Sequence, residues 1–268
     1  MPTKHIPVMV LVNASSSAGE IRPIFNRSME WIINALKSHP NANEIMLMAA
    51  HYSSRYMEQV CFRDINQVSA NVLDLPSVLG PTNTGCALEN ALNSLEAKLK
   101  HWDDQGISYG RPILLLVTDY HISPGRNPSW PPGKEAQLRE TYRKAFQNMA
   151  EKTRNMEKNG ELTLAAVRIT HIGYARETQE LKALTNIPEC VFIARYENEQ
   201  KWNLDEVIDW LKRAVSRSAE EHFENNRKAA APRGMKWGIG DIPPEPEHRG
   251  LKIDSVICEF FDLNRSNS

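Results

Sequence analysis

Clustered cysteines are missing from this chain. Its four cysteines, Cys61, Cys86, Cys190 and Cys258, lie far apart, and none forms a CxxC pair. That spacing excludes a disulfide framework and a zinc knuckle. Scattered thiols with apolar flanks fit a reducing cytoplasm. An excess of one charge is missing too: 32 Lys and Arg stand against 33 Asp and Glu, for a formal net charge of -1. No global field therefore draws the protein to nucleic acid or to an anionic membrane surface. No apolar run approaches the roughly 18 residues that a membrane-crossing helix needs. The chain has no HExxH, no G-x-S-x-G and no P-loop, and its eight histidines include no pair at metal-ligand spacing. Zinc hydrolysis, serine-esterase chemistry and P-loop nucleotide chemistry thus lack their usual signatures. The "GIG" at 238–240 has no strand before it and no helix after it, so it is not a dinucleotide fingerprint. There is no internal repeat.

What is present is ordinary soluble-protein composition, 41% hydrophobic and 24% charged over 268 residues. That length suits one large domain or two small ones, with a core that needs no staples. Near the start, Lys4 and His5 precede "IPVMVLV", and "NASSSAG" follows. A secretory leader would share this outline, but the run is short and contains Pro7, so it reads as a buried strand. Asn13-Ala14-Ser15 matches a glycosylation sequon, which in a cytoplasmic protein is chance.

Along the chain, apolar runs alternate with helical patterns. Strands are expected at 6–12, 44–51, 111–118 ("RPILLLVT"), 162–169 and 190–195, with an edge strand at 55–62. Residues 21–38 place Ile24, Met29, Ile32, Ile33 and Leu36 on one helical face, and Pro23 suits a first turn. Residues 83–101 carry Leu88, Leu92, Leu95 and Leu99 at helical spacing. A highly charged helix at 135–158 reads as a solvated face. A short helix at 176–184 and an amphipathic one at 204–218 complete the pattern. The four prolines and two glycines of 123–134 mark a loop. Alternating strands and helices predict an α/β fold: a doubly wound, mostly parallel six-stranded sheet with helices on both faces. The expected organisation is a domain over 1–218, a Pro/Gly-rich linker or strap over 219–250, and a docking segment over 251–268. In that tail Trp237, Ile239 and Ile242 punctuate the Pro/Gly-rich stretch, which either straps its own domain or docks on a partner.

Ligands of open α/β sheets bind beyond the carboxyl ends of the strands. The polar residues there are Asn13, Ser15 and Ser17 after the first strand, and Thr118 and Asp119 after "ILLLV". "GPTNTG" before the helix at 83 adds Thr82, Asn83 and Thr84. Hydroxyls with a carboxylate are hard oxygen ligands, suited to Mg²⁺ rather than zinc. Taken alone, Ser15 and Ser17 also fit helix caps, and Asn13 an Asx-turn.

Together these segments resemble the von Willebrand factor A (VWA) family, whose metal-ion-dependent adhesion site (MIDAS) uses Asp-x-Ser-x-Ser, a Thr before a helix and an Asp after the fourth strand. Asn13-Ala14-Ser15-Ser16-Ser17 takes the first motif, "GPTNTGCALENAL" the second and "ILLLVTDY" the third. The resemblance covers roughly residues 5–215. It implies a strand order of 3-2-1-4-5-6 with strand 3 antiparallel, and a metal set of Asn13, Ser15, Ser17, Thr82 and Asp119. "RPIFNRSMEWIINALKSHPNANE" is similar to the first helix of the bacterial tellurium-resistance (TerY-like) cytoplasmic branch. That branch implies a stress-response, tellurite-resistance or defence assembly, with a PP2C-like phosphatase or a protein kinase as neighbours.

Three departures stand out: Asn13 for the first Asp, Pro81 for a Gly, and Tyr120 for a Gly. Asn13 keeps the hydrogen bonds of an Asp but not its charge. A carboxylate about 5 Å from a divalent ion contributes up to several kcal/mol at an effective dielectric near 20. The expectation is therefore a degenerate MIDAS that binds Mg²⁺ weakly, or with a partner's carboxylate. The implied function is a non-catalytic, cytoplasmic protein–protein interaction module whose partner presents an acidic or polar group. One alternative is a hydrolase or nucleotide-dependent enzyme, for which a Ser15, His121 and Asp119 set lacks the motif context. The other is a secreted adhesion protein, whose leader would consume the first strand.

Overall fold

In a computed structural model, the described residues are 4–14, 22–53, 55–75, 82–118, 131–170, 179–197, 201–202 and 204–221. Seven strands form one sheet: β1 (Ile6–Asn13), β2 (Ile45–Tyr52), β3 (Tyr56–Asp64), β4 (Ile113–Thr118), β5 (Thr163–Thr170), β6 (Val191–Glu197) and β7 (Lys201–Trp202). Their order is β3-β2-β1-β4-β5-β6-β7. The pairings β2–β1, β1–β4, β4–β5 and β5–β6 are parallel, while β3 and β7 are antiparallel at the two edges. The expected six-strand order is present, and the two-residue β7 is an addition. Two residues paired to one edge carry no periodicity, so no sequence pattern marks them.

The central strands are buried on both sides, as their unbroken apolar runs require. β1 and β4 are buried along their whole length. Alternate residues then supply two cores. Val8, Val10 and Val12 of β1 join Phe25, Met29, Ile32, Ile33 and Leu36 of helix α1 (Arg22–Lys37), together with the apolar stripe of α5 (Asp205–Glu220). Met9 and Leu11 face α2 (Thr84–Asp104), α3 (Lys134–Lys158) and the short α4 (Gln179–Lys182). Helices thus cover both faces. Each element lies within a few residues of its predicted bounds, although α5 runs past 218 to Glu220. Residues 123–130 of the predicted loop and the tail beyond 221 fall outside the described residues, as does most of the run before α4.

α3 is long and mostly wet. Over 25 residues its buried side chains are Phe146, Ala150 and Thr153, which agrees with a solvated charged face. Its apolar stripe meets α2 at Gly85, where a Cβ would lie 2.6 Å from the Phe146 backbone nitrogen. At the amino edge of the sheet, α5 is clamped. Lys4 Nζ donates to the Ser218 and Ala219 carbonyls, and Ser218 Oγ donates to the Arg111 carbonyl at 2.8 Å. Arg111 pairs with Glu221 at 3.0 Å. Lysine at the end of a helix meets carbonyls that lack intrahelical partners, and it complements the helix dipole.

Candidate functional site

Three chain segments meet at the carboxyl edge. β1 ends in Asn13, which sits beside Tyr52 of β2 in the parallel register. The next residue, Ala14, donates its N–H to the Tyr52 carbonyl at 2.7 Å. Ser53, just beyond β2, accepts from the Asn83 N–H at 2.8 Å. Asn83 in turn caps α2, its Oδ1 accepting from the Cys86 N–H at 3.0 Å. An amide side chain at this position satisfies an otherwise orphaned helix N–H. These bonds bring Thr82 to the same edge as the exits of β1 and β2.

The β3–α2 connection is positioned from the other face. His51 Nε2 lies 3.0 Å from the Leu73 carbonyl, and Asn26 Oδ1 accepts from the Leu75 N–H at 3.0 Å. Leu73 and Leu75 are buried against α1. Burial pushes the His51 imidazole below its ordinary pKa, so the ring is the neutral donor to Leu73.

Register carries a polar row across the sheet. Val12 pairs with Val117, so Asn13 stands beside Thr118, and its Nδ2 donates to Thr118 Oγ1 at 3.3 Å. Thr118 pairs with Arg168 of β5. By strand alternation Tyr52, Asn13, Thr118 and Arg168 all share the α2/α3 face, together with Leu11, Leu116 and Ala166. The row is closed to solvent: Tyr52 and Asn13 are 0% exposed, Thr118 3% and Arg168 4%. Thr82 is 2% exposed. Each member of the row is engaged in polar or ring contacts. Arg168 and Tyr52 were not among the residues singled out by sequence. The available signal was a charged residue at an inward position of "LTLAAVRI", in phase with Leu164 and Ala166.

Of the metal set expected from sequence, Asn13 and Thr82 are placed at this edge. Ser15, Ser17 and Asp119 lie outside the described residues, as does His121. Asn13 presents an amide and Thr82 and Thr118 present hydroxyls, all neutral donors. The charged member of the row is the Arg168 guanidinium. Among the described residues no group of three His, Cys, Asp or Glu side chains is placed to hold a metal.

Neither a family model nor a curated protein matches this sequence. Solved structures do. The vWF domain of the type V pili tip protein Mfa5 from Porphyromonas gingivalis aligns with a TM-score of 0.55 at 13% identity, over 81% of this chain and 96% of that one. This is the von Willebrand factor A fold. The pilus adhesin SpaC from Lactobacillus rhamnosus GG has the same core, with a TM-score of 0.54 at 14% identity, over 79% of this chain. The PilB minor pilin from Streptococcus sanguinis aligns with a TM-score of 0.50 at 12% identity, over 80% of this chain and 62% of that one. This VWA-fold chain spans only 30% of the SpaC chain and 46% of the mussel byssus protein PTMP1. Among the described residues no helix is long and apolar enough to cross a membrane.

Proposed function

We propose that this protein is a non-catalytic, VWA-type protein–protein interaction module that recognises its partner at the carboxyl edge of its sheet. The observation that carries this reading is the convergence there of Asn13, Thr118 and Thr82 from three distant segments, stitched by Asn13–Thr118, Ala14–Tyr52 and Asn83–Ser53 hydrogen bonds. Ser15, Ser17 and Asp119 follow or flank those positions in the chain and complete the proposed contact set. Asn13, Thr118 and Thr82 are buried and set the frame of the edge, and the residues that follow or flank them in the chain meet the acidic or polar partner group. Any Mg²⁺ there is held weakly, or only when a partner's carboxylate completes its shell. The missing nucleophile and phosphate-loop motifs support a module without catalysis.

The free, unpaired thiols Cys61, Cys86 and Cys190 support a reducing, cytoplasmic setting. Within that setting the TerY-like resemblance points to a bacterial stress-response or tellurite-resistance assembly, with a PP2C-like phosphatase or protein kinase as candidate partners. The test is affinity capture of the wild-type protein beside Asp119→Ala, each with Mg²⁺ and with EDTA. A partner retained by wild type and lost by Asp119→Ala supports the reading. Partners unaffected by Asp119→Ala would refute recognition at this edge while leaving the fold intact.

A further inference from the structure

Basic side chains from three separate segments meet the carboxyl-terminal half of α5. Two of them, Lys4 and Arg111, clamp its end. The third is His39, which follows α1 and precedes the short 3₁₀ turn Ala42–Glu44 that leads into β2. His39 is 7% exposed. Its Nε2 lies 3.2 Å from the Lys212 carbonyl and 3.1 Å from Ser216 Oγ, and its Nδ1 accepts from the Asn41 N–H at 3.1 Å. A carbonyl only accepts and a backbone N–H only donates, so the ring carries its hydrogen on Nε2 and none on Nδ1. One imidazole thus ties the α1–β2 turn to α5, and it does so in the neutral form alone. The turn is otherwise held by local bonds, from the Ala42 N–H to the His39 carbonyl and from the Glu44 N–H to the Asn41 carbonyl, both at 2.9 Å.

A second proton on the ring goes to Nδ1, where it meets the Asn41 N–H. Two donors then face each other with no acceptor between them. The surrounding charges do not offset this. Lys212 on α5 opposes protonation, the nearest charge on α1 is Lys37, and Glu44 at the far end of the turn acts on Lys4. Burial works in the same direction and holds the imidazole below its ordinary pKa. Of the three basic groups on α5, the histidine alone has an ordinary pKa between about 5 and 8.

We propose that His39 is a proton-operated bolt: neutral, it holds the α1–β2 turn against α5, and on taking up a proton it leaves its slot and the turn opens. The device lies at the amino edge of the sheet and is independent of recognition at the carboxyl edge. It gives the domain a locally opened form in mild acid while the apolar core of the sheet persists. Once the turn is open the ring meets water and titrates near 6.5. From there down to the lowered value of the closed form, the open population rises by up to about tenfold per pH unit.

The test is amide hydrogen exchange in the full-length protein between about pH 7.5 and 5.5, corrected for intrinsic exchange rates, with the His39 imidazole followed by NMR. The Asn41, Ala42 and Glu44 amides are expected to lose protection by up to about tenfold per unit below about pH 6.5, in the window where the His39 resonance moves. The Val10 and Leu115 amides of the central strands keep theirs. His39→Gln takes up no proton, so it removes the pH dependence of the turn amides whatever its overall stability. Turn amides whose protection is constant with pH would overturn the proposal. So would a fall that His39→Gln retains, or one that the central-strand amides share, since that is global unfolding. If His39→Gln does not fold, the wild-type ring decides: a midpoint that coincides with the loss of turn protection supports the bolt, and a ring that titrates with the turn still protected overturns it.

Discussion

Gly85→Ala tests how tightly α2, and with it the Thr82 turn, is held to the rest of the domain. Two effects of opposite sign compete. Gly85 is helical, and alanine in a helix interior is favoured over glycine by up to about 1 kcal/mol. Against that, the new Cβ would sit 2.6 Å from the Phe146 nitrogen and 2.7 Å from the Ala145 carbonyl carbon. Both are backbone atoms of α3, so no rotamer change relieves them. Ordinary contact begins near 3.4 Å, so α2 and α3 must separate by most of an ångström at their crossing. Overpacking of this kind costs about 1–3 kcal/mol, and a rigid helix obstructing the Cβ places this site at the upper end.

The net expectation is destabilisation by about 2 kcal/mol, a fall of roughly 4–8 °C in melting temperature for a domain of this size. Urea unfolding with an unchanged slope is the assay. Gly133→Ala is the control. Gly133 has φ +85° and nothing within 4 Å of a Cβ, so its cost is conformational alone, about 1 kcal/mol. A Gly85→Ala protein as stable as wild type would refute the close α2–α3 packing.

Other outcomes follow from the buried polar groups. His39 Nδ1 accepts from the Asn41 N–H at 3.1 Å and Nε2 faces the Lys212 carbonyl at 3.2 Å, so the ring is neutral, and burial holds its pKa below the ordinary value. Between that lowered pKa and about 6.5 the unfolded chain binds a proton that the folded one does not, so stability rises with pH across this window and is lost as pH falls, by up to about 1.4 kcal/mol per unit. His39→Gln should flatten urea-derived stability against pH by that one-proton slope; parallel curves would refute the assignment. Glu221→Ala strips Arg111, whose side chain is 6% exposed, of its carboxylate partner. It should cost about 3 kcal/mol, read by urea midpoint, and should loosen the end of α5 in hydrogen exchange. Burial pushes the Cys190 thiol up to about 12, so it should resist alkylation until the protein unfolds, whereas the exposed Cys61 labels in the native state. Native labelling of Cys190, read by mass spectrometry, would contradict its place in the core.

Local chemistry decided much of this protein in advance. Unbroken apolar runs such as "ILLLVT" can satisfy themselves only between two covering layers, and the 3.6-residue stripes of α1, α2 and α5 supply those layers. The strands, the helices and the doubly wound class were therefore legible, as were Asn13 and Thr82 as strand-exit and pre-helix residues. β7 was not, because two residues on an edge have no period. Nor was the company Arg168 keeps: its phase with Leu164 and Ala166 marks an inward position in "LTLAAVRI", but nothing local tells that it lies on the row that holds Asn13. Only register settles this, and register is fixed by pairing between segments separated by tens of residues, through Val12–Val117 and Thr118–Arg168. Sequence alone marked Asn13 and Thr82 as residues of the carboxyl edge. The tertiary structure determined that a buried cation stands among them, because side chains become neighbours across a sheet only once the strands are aligned.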